Sequence, residues 1–317
     1  MTTVTLEDIR AAADRIKGSA TVTPLLPATQ ISGGPALYLK AENLQQTGSF
    51  KIRGALNAAA RLSAQARDRG LITYSSGNHG QALASTARQH RVPCVIVMPD
   101  SARKVKIEGA RALGAEVVLV PPAQRKQVAE ELATSRDMTL IPPYDHPDVI
   151  AGQGTVGLEI LEQIPQVEVV LVPVGGGALA SGVATAIKAV APGVSVVGVE
   201  PELAADAAAG LRAGRLAQWP PDRLNRTVAD GLRTNLSDLT FTHLQQFLDG
   251  IITVDDERIL QAVDLLIGRS HLVVEPSGAA TVAAYLAHQE QFAGKTTVAI
   301  LSGGNLDRAM LGQIFSQ

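Results

Sequence analysis

Cysteine is almost absent from this chain of 317 residues, where Cys94 stands alone. A single thiol excludes an internal disulfide framework and a multi-cysteine zinc site. It fits a reduced, cytoplasmic setting. Aromatics make up only 3% and charged residues 18%, with 28 Lys+Arg against 30 Asp+Glu and a formal net charge of −2. That balance gives no electrostatic reason to expect nucleic acid or an anionic membrane as partner. The start of the chain, Met1 to Asp8, lacks the basic and apolar regions of a secretory signal. Only Val169 to Ile187 has the length of a membrane span, and Pro173, Gly175, Gly176 and Gly177 interrupt it. Those residues would break a spanning helix, so a strand, a loop and a helix fit better. What the chain does contain is 46% hydrophobic residues, too many for a disordered protein and enough for a large buried core. Its length suits two domains or one large α/β domain.

Short β-branched runs alternate with alanine-rich stretches. Strands are predicted at Leu71 to Tyr74, Cys94 to Met98, Glu116 to Val120, Val169 to Val172, Val194 to Val199 and Thr297 to Leu301. Helices are predicted from about His79 to Gln89, Lys104 to Leu113, Gln124 to Thr134 and Leu179 to Val190, with others starting near Leu203 and Leu306. Continuously apolar strands alternating with helices predict parallel sheet covered on both sides, an α/β fold. The three prolines between Ile141 and Pro147 mark the best boundary between units, and Trp219 to Asp222 a second long loop. The alanine-rich stretch Ala204 to Ala213 reads as an ordinary helix.

Ligands of open parallel sheets sit beyond the carboxyl ends of the strands. Three loops fall there: Ser75-Ser76-Gly77-Asn78-His79-Gly80, Gly175-Gly176-Gly177-Ala178-Leu179 and Ser302-Gly303-Gly304-Asn305. Each follows a strand and opens a helix, which offers backbone N–H groups and a helix dipole to an anion. Each is also readable as a plain tight turn. Neither Walker A spacing nor the full Gly-x-Gly-x-x-Gly pattern is present, which disfavours a nucleotide. Lys51 lies between Phe50 and Ile52 in a weakly charged segment. Most lysines are solvated surface residues, but desolvation here would lower the amine's pKa and make it nucleophilic. A buried amine and a phosphate cradle are the minimum equipment for pyridoxal phosphate. His79, His146 and His271 form no metal or triad grouping, and Cys94 falls inside a predicted strand as a small core residue.

Five segments together resemble the serine/threonine dehydratase and serine racemase family of fold-type II pyridoxal phosphate enzymes. They are Ser49 to Ala55, Ser75 to Ala82, Val149 to Thr155, Gly175 to Gly177 and Ser302 to Asn305, in the family's order across nearly the whole chain. The resemblance implies two open, mostly parallel sheets covered by helices, similar to the tryptophan synthase β subunit. It implies a large cofactor-binding domain of residues 1–61 plus 146–317 and a small mobile domain of residues 62–145, which closes to expel water.

It also implies roles. Lys51 would carry the cofactor as a Schiff base and act as base on the Cα proton, and Phe50 would flank the ring. Asn78 would bond the 3′-oxygen. Gly175, Gly176, Gly177, Ala178 and Leu179 would bind the phosphate, and Ser302 would meet the pyridine nitrogen. Ser75, Ser76, Gly77, Asn78 and His79 would hold the substrate carboxylate. Ala178 departs from a fourth glycine found in many relatives; its methyl is tolerated if the residue is helical and harmful if it needs positive φ.

A neutral Ser302 cannot hold a proton on the ring nitrogen, which weakens the electron sink and favours β-elimination. The activity implied is conversion of a β-hydroxy L-amino acid, such as serine, threonine or 3-hydroxyaspartate, to a 2-oxo acid and ammonia. Ser76 keeps a racemase alternative open, as the acid–base residue on the face opposite Lys51. Arg125 is a candidate reader of a β-carboxylate, against its plain reading as a solvated helix arginine. Glu200, Ala204 and Asp206 match the divalent-cation site of serine racemase-like members, suited to Mg²⁺, Ca²⁺ or Mn²⁺. Carboxylates six apart do not share a helix face, so a loop-to-helix start is needed there. A cytoplasmic homodimer acting on a small amino acid is implied by the resemblance.

Overall fold

The computed structural model describes residues 3–33, 36–75, 77–102, 104–307, 310 and 312. Its strands are β1 (Leu25–Pro27), β2 (Leu37–Lys40), β3 (Leu71–Thr73), β4 (Cys94–Pro99), β5 (Glu116–Val120), β6 (Thr139–Leu140), β7 (Val169–Pro173), β8 (Ser195–Pro201), β9 (Gly250–Val254) and β10 (Thr297–Ile300). They make a six-stranded sheet in the order β1-β2-β10-β7-β8-β9 and a four-stranded sheet in the order β5-β4-β3-β6. Among the described residues every pairing is parallel except that of β1 with β2. β7 is buried along its whole length, as its unbroken Val-Val-Leu-Val-Pro run requires. β5 carries exposed residues at Glu116 and Leu119 because it is an edge.

Seven helices matter for the site: α1 (Leu6–Ile16), α2 (Lys51–Arg61), α3 (Asn78–His90), α4 (Pro147–Gln163), α5 (Ala178–Val190), α6 (Asp206–Ala213) and α7 (Pro276–Ala287). Thr5 and Asp8 close a capping box on α1. Pro147 opens α4 at its first turn, where a proline's missing N–H is no loss. The helix expected from Leu203 begins later. Glu202–Ala204 form a single 3-10 turn, and α6 starts at Asp206. The loop expected at Trp219 to Asp222 gives way to a short helix, Pro221–Leu224. Leu306 and Asp307 are not helical, and most of the expected last helix lies outside the described residues.

Behind α2 lies a buried quartet of charges. Arg53 pairs with Glu42 at 2.7 Å and with Glu159 at 2.6 Å, and Lys40 pairs with Glu159 at 2.5 Å. Two cations and two carboxylates cancel, tying α2 to the end of β2, to the turn Glu42–Leu44 and to α4. Desolvation would discharge Arg53, but the adjacent Glu42 and Glu159 more than offset it and keep the guanidinium charged.

Candidate active site

The fold brings the separated motifs together through backbone contacts. The Phe50 amide donates to the Ser302 carbonyl at 3.1 Å, and the Gly304 amide to the Gly48 carbonyl at 2.8 Å. Lys51, first residue of α2, therefore sits beside the loop after β10. Its Nζ donates to the Pro143 carbonyl at 2.7 Å and lies 5.0 Å from the centre of the Phe50 ring. Among the described residues no carboxylate pairs with it. The residue is half-buried, and desolvation lowers its pKa to about 8.

Gly175, Gly176 and Gly177 link β7 to α5. Gly177 has φ +89°, a left-handed conformation that L side chains rarely adopt, and a Cβ there would meet Leu236 at 2.7 Å and Thr240 at 2.8 Å. Ala178 already belongs to α5 and has no positive φ, so its methyl is accommodated. The first turn of α5 leaves the N–H groups of Ala178 and Leu179 without helical partners, next to the positive end of the dipole. The Tyr144 ring lies over Gly176. A cradle of small residues at a helix start, with a desolvated amine that no described carboxylate pairs, fits a phosphate-bearing aldehyde.

Asn78 begins α3. Its Nδ2 donates to Glu275 at 2.6 Å, and its Oδ1 accepts from Asn305 at 2.8 Å. Ser302 is buried, its Oγ 3.4 Å from the Ser277 carbonyl. Ser75 Oγ accepts from the Gly77 amide at 3.3 Å. His79 is buried with Nε2 on the Ile141 carbonyl at 3.0 Å. Desolvation and then the Lys51 charge lower its pKa to about 3, so it is a neutral imidazole. Ser76 lies outside the described residues. Arg125 stands apart on the four-stranded sheet's side: its Nε donates to the Pro122 carbonyl at 3.0 Å, and no described carboxylate pairs with it. Desolvation lowers its pKa, against the influence of nearby Tyr74.

Glu200 is the last residue but one of β8 while Asp206 starts α6, so a turn does bring carboxylates six apart into one neighbourhood. Both are buried. Glu200 accepts from the Ala207 and Ala208 amides at 3.0 and 2.7 Å, and Asp206 accepts from the Leu236 amide at 3.3 Å. Desolvation and then the Asp206 charge push Glu200 well above the usual carboxylate range; desolvation pushes Asp206 up to about 6. Among the described residues, no three His, Cys, Asp or Glu cluster as metal ligands. No described helix is long and apolar enough to cross a membrane.

Glu275, Pro143 and Tyr144 carry no motif. Pro143 and Tyr144 look like linker in the sequence, and Glu275 is a lone acid ahead of Pro276. Only tertiary structure joins them to Lys51, Gly176 and Asn78.

Residues 16–303 match the model of the family described as "Pyridoxal-phosphate dependent enzyme". The chain is 39% identical to an L-threo-3-hydroxyaspartate ammonia-lyase of Saccharomyces cerevisiae, over 98% of this chain and 96% of that one. It is 41% identical to an L-threonine ammonia-lyase of Thermotoga maritima, over 99% of this chain and 79% of that one. Among solved structures, maize serine racemase superposes with a TM-score of 0.93 at 35% identity, over 99% and 98% of the two chains. The chain belongs to the pyridoxal-phosphate dependent enzymes, within the group of serine/threonine dehydratases and serine racemases.

Proposed function

We propose that the protein is a pyridoxal phosphate-dependent ammonia-lyase that converts a β-hydroxy L-amino acid to a 2-oxo acid and ammonia. The observation that carries this is the Lys51 amine: desolvated, bonded to the neutral Pro143 carbonyl and, among the described residues, without a carboxylate partner. Bound at Lys51, the cofactor supplies an electron sink for negative charge at the substrate Cα. Once the substrate amine has taken its place on the cofactor, the freed Lys51 amine would take the Cα proton; desolvation, which lowers its pKa to about 8, leaves more of it unprotonated than an exposed lysine has. Phe50 covers one side of the ring, and residues 175–179 hold the phosphate with backbone N–H groups. Ser75, Ser76, Gly77, Asn78 and His79 hold the substrate carboxylate. Ser302 faces the ring nitrogen as a neutral hydroxyl. The β-hydroxyl would depart with a proton, as water, and the enamine so formed would tautomerise and take up water to yield the 2-oxo acid and ammonia. Residues 62–145 act as the small domain that closes over residues 1–61 and 146–317. The Lys106–Asp230 ion pair of 2.9 Å spans the two. Closure predicts a smaller radius of gyration by small-angle scattering when a substrate analogue binds; an unchanged radius contradicts it.

Arg125 reads a β-carboxylate, which favours 3-hydroxyaspartate among the substrates; the lack of a carboxylate partner for it among the described residues and the name of the yeast relative support this. A panel of serine, threonine and 3-hydroxyaspartate, with keto acid readout and chiral analysis, tests the function. Keto acid formation that Lys51→Ala abolishes with the fold preserved supports it. D-amino acid without keto acid would point instead to the racemase reading, favoured by the likeness to maize serine racemase. Arg125→Ala should raise KM for 3-hydroxyaspartate about tenfold or more while sparing serine. An equal effect on both removes Arg125 from that role.

Glu200, Asp206 and the Ala204 carbonyl bind one divalent cation, Mg²⁺, Ca²⁺ or Mn²⁺, which neutralises two buried carboxylates. A chelator should lower the melting temperature, metal should restore it, and Asp206→Asn should erase the response. No chelator effect refutes the site. The resemblance also supports a cytoplasmic homodimer, checked by sedimentation at twice the chain mass.

A further inference from the structure

Asn305 Nδ2 donates at 2.9 Å to the Thr47 carbonyl, a group that can only accept. That contact fixes which end of the Asn305 amide is nitrogen. The same Nδ2 also donates to Asn78, so the atom of Asn78 facing it must be the oxygen, Oδ1. Nδ2 of Asn78 is thereby turned to Glu275. From a backbone carbonyl to a buried carboxyl, every polarity in the chain is determined. Glu275 ends the relay because only an acceptor suits the Asn78 nitrogen.

We propose that Glu275 is a positioning residue: it fixes the Asn78 amide so that the remaining N–H of Nδ2 is the group presented to the cofactor. This rests on the assignment of Asn78 to the cofactor's 3′-oxygen. Three features set Glu275 apart from a structural acid. It occupies the N-cap position of α7, yet its side chain makes no capping bond and reaches Asn78 instead. Its own amide is tied to the Gly303 carbonyl at 3.1 Å, beside Ser302. A Cβ at Gly303 would collide with its Oε1, so the glycine is what lets the carboxyl lie against this loop.

The carboxyl also has reason to titrate. Desolvation, then the negative charge of Asp230 from the turn Asp230–Leu232, raise its pKa to about 7. The Asn78 hydrogen bond and Lys106, on the helix Lys104–Ala112, oppose the rise. Its charge therefore changes within the working range of the enzyme, one amide away from the cofactor.

The test compares wild type, Glu275→Gln and Glu275→Ala as holoenzymes and apoproteins. Glu275→Gln keeps an oxygen that accepts from Asn78 but has no titrating proton. Glu275→Ala should weaken pyridoxal phosphate affinity about tenfold or more, the loss of a strong charge-assisted bond. Glu275→Gln should stay within about threefold of wild type. The visible absorbance of the wild-type holoenzyme should shift with a midpoint near 7, and that shift should vanish in Glu275→Gln. Equal affinity losses in the two variants, or a pH shift that survives in Glu275→Gln, overturn the proposal. If Glu275→Ala does not fold, the Glu275→Gln titration decides alone. Wild type that takes up no cofactor would sink the cofactor reading itself, a different outcome.

Discussion

Arg53 stands two residues beyond Lys51 and does something different with its charge. Its guanidinium makes bonds to Glu42 Oε2, Glu42 Oε1, Glu159 Oε1 and Glu159 Oε2 between 2.6 and 2.9 Å, with Arg53 and Glu42 fully buried and Glu159 partly so. Replacing Arg53 with Met should destabilise the protein by about 3–5 kcal/mol, because Glu42 would remain buried without its counter-charge. Chemical denaturation measures this, and a loss under ~1 kcal/mol would show the quartet relaxing to water. The two charged residues of one motif thus separate by environment, Lys51 half-buried beside the loop after β10 and Arg53 in the core. That division was not legible in the segment Ser49 to Ala55, where both look alike. Lys51 was legible as a candidate because its neighbours are apolar. Glu275 was not, since nothing local in Val274-Glu275-Pro276 signals Asn78, 197 positions earlier.

At the scale of elements, α4 and α5 lie close enough that backbones touch. A Cβ at Gly182 would strike the Ile150 carbonyl and come within 2.5 Å of the Gly154 amide nitrogen. Neither is the movable end of a side chain. Gly182→Ala should therefore cost about 1–3 kcal/mol by overpacking, even though alanine is the better helix former. A stabilised variant in thermal melts would show that the helices can separate. Strands such as β4, β7 and β10 were readable because they are buried on both faces and so apolar throughout. β2 was missed because it ends on Lys40, buried by an ion pair that sequence cannot show, and β6 because two residues make no pattern. α4 was visible only as a motif, since its glycines mask the helical period. The predicted start of α6 comes too early because Leu203 and Ala204, in the 3-10 turn before it, are good helix formers that read on into the alanines of the helix.

For the whole molecule, the titration of buried histidines sets an acid limit. His79 is lowered to about 3 by desolvation and the Lys51 charge, and His243 to about 4 by desolvation. Both fall below the unfolded value of about 6.5, so the fold prefers them neutral. Their contribution is complete above pH 6.5 and lost as pH falls toward 4 and below. His243 joins the Val4 amide at 3.0 Å to Thr185 at 3.1 Å, so its protonation breaks the anchor of α1. Melting temperature should drop between pH 6.5 and 4, less steeply in His243→Asn; identical slopes would contradict this. The molecule as a whole places an amine, a glycine cradle and a polar relay at the carboxyl ends of β7 and β10. The activity turns on the covalent carrier among them. Reduction of the pyridoxal phosphate-loaded protein with borohydride, followed by peptide mass mapping, should find the pyridoxyl adduct on Lys51 and lose it in Lys51→Ala. An adduct on another lysine, or none, would contradict the account.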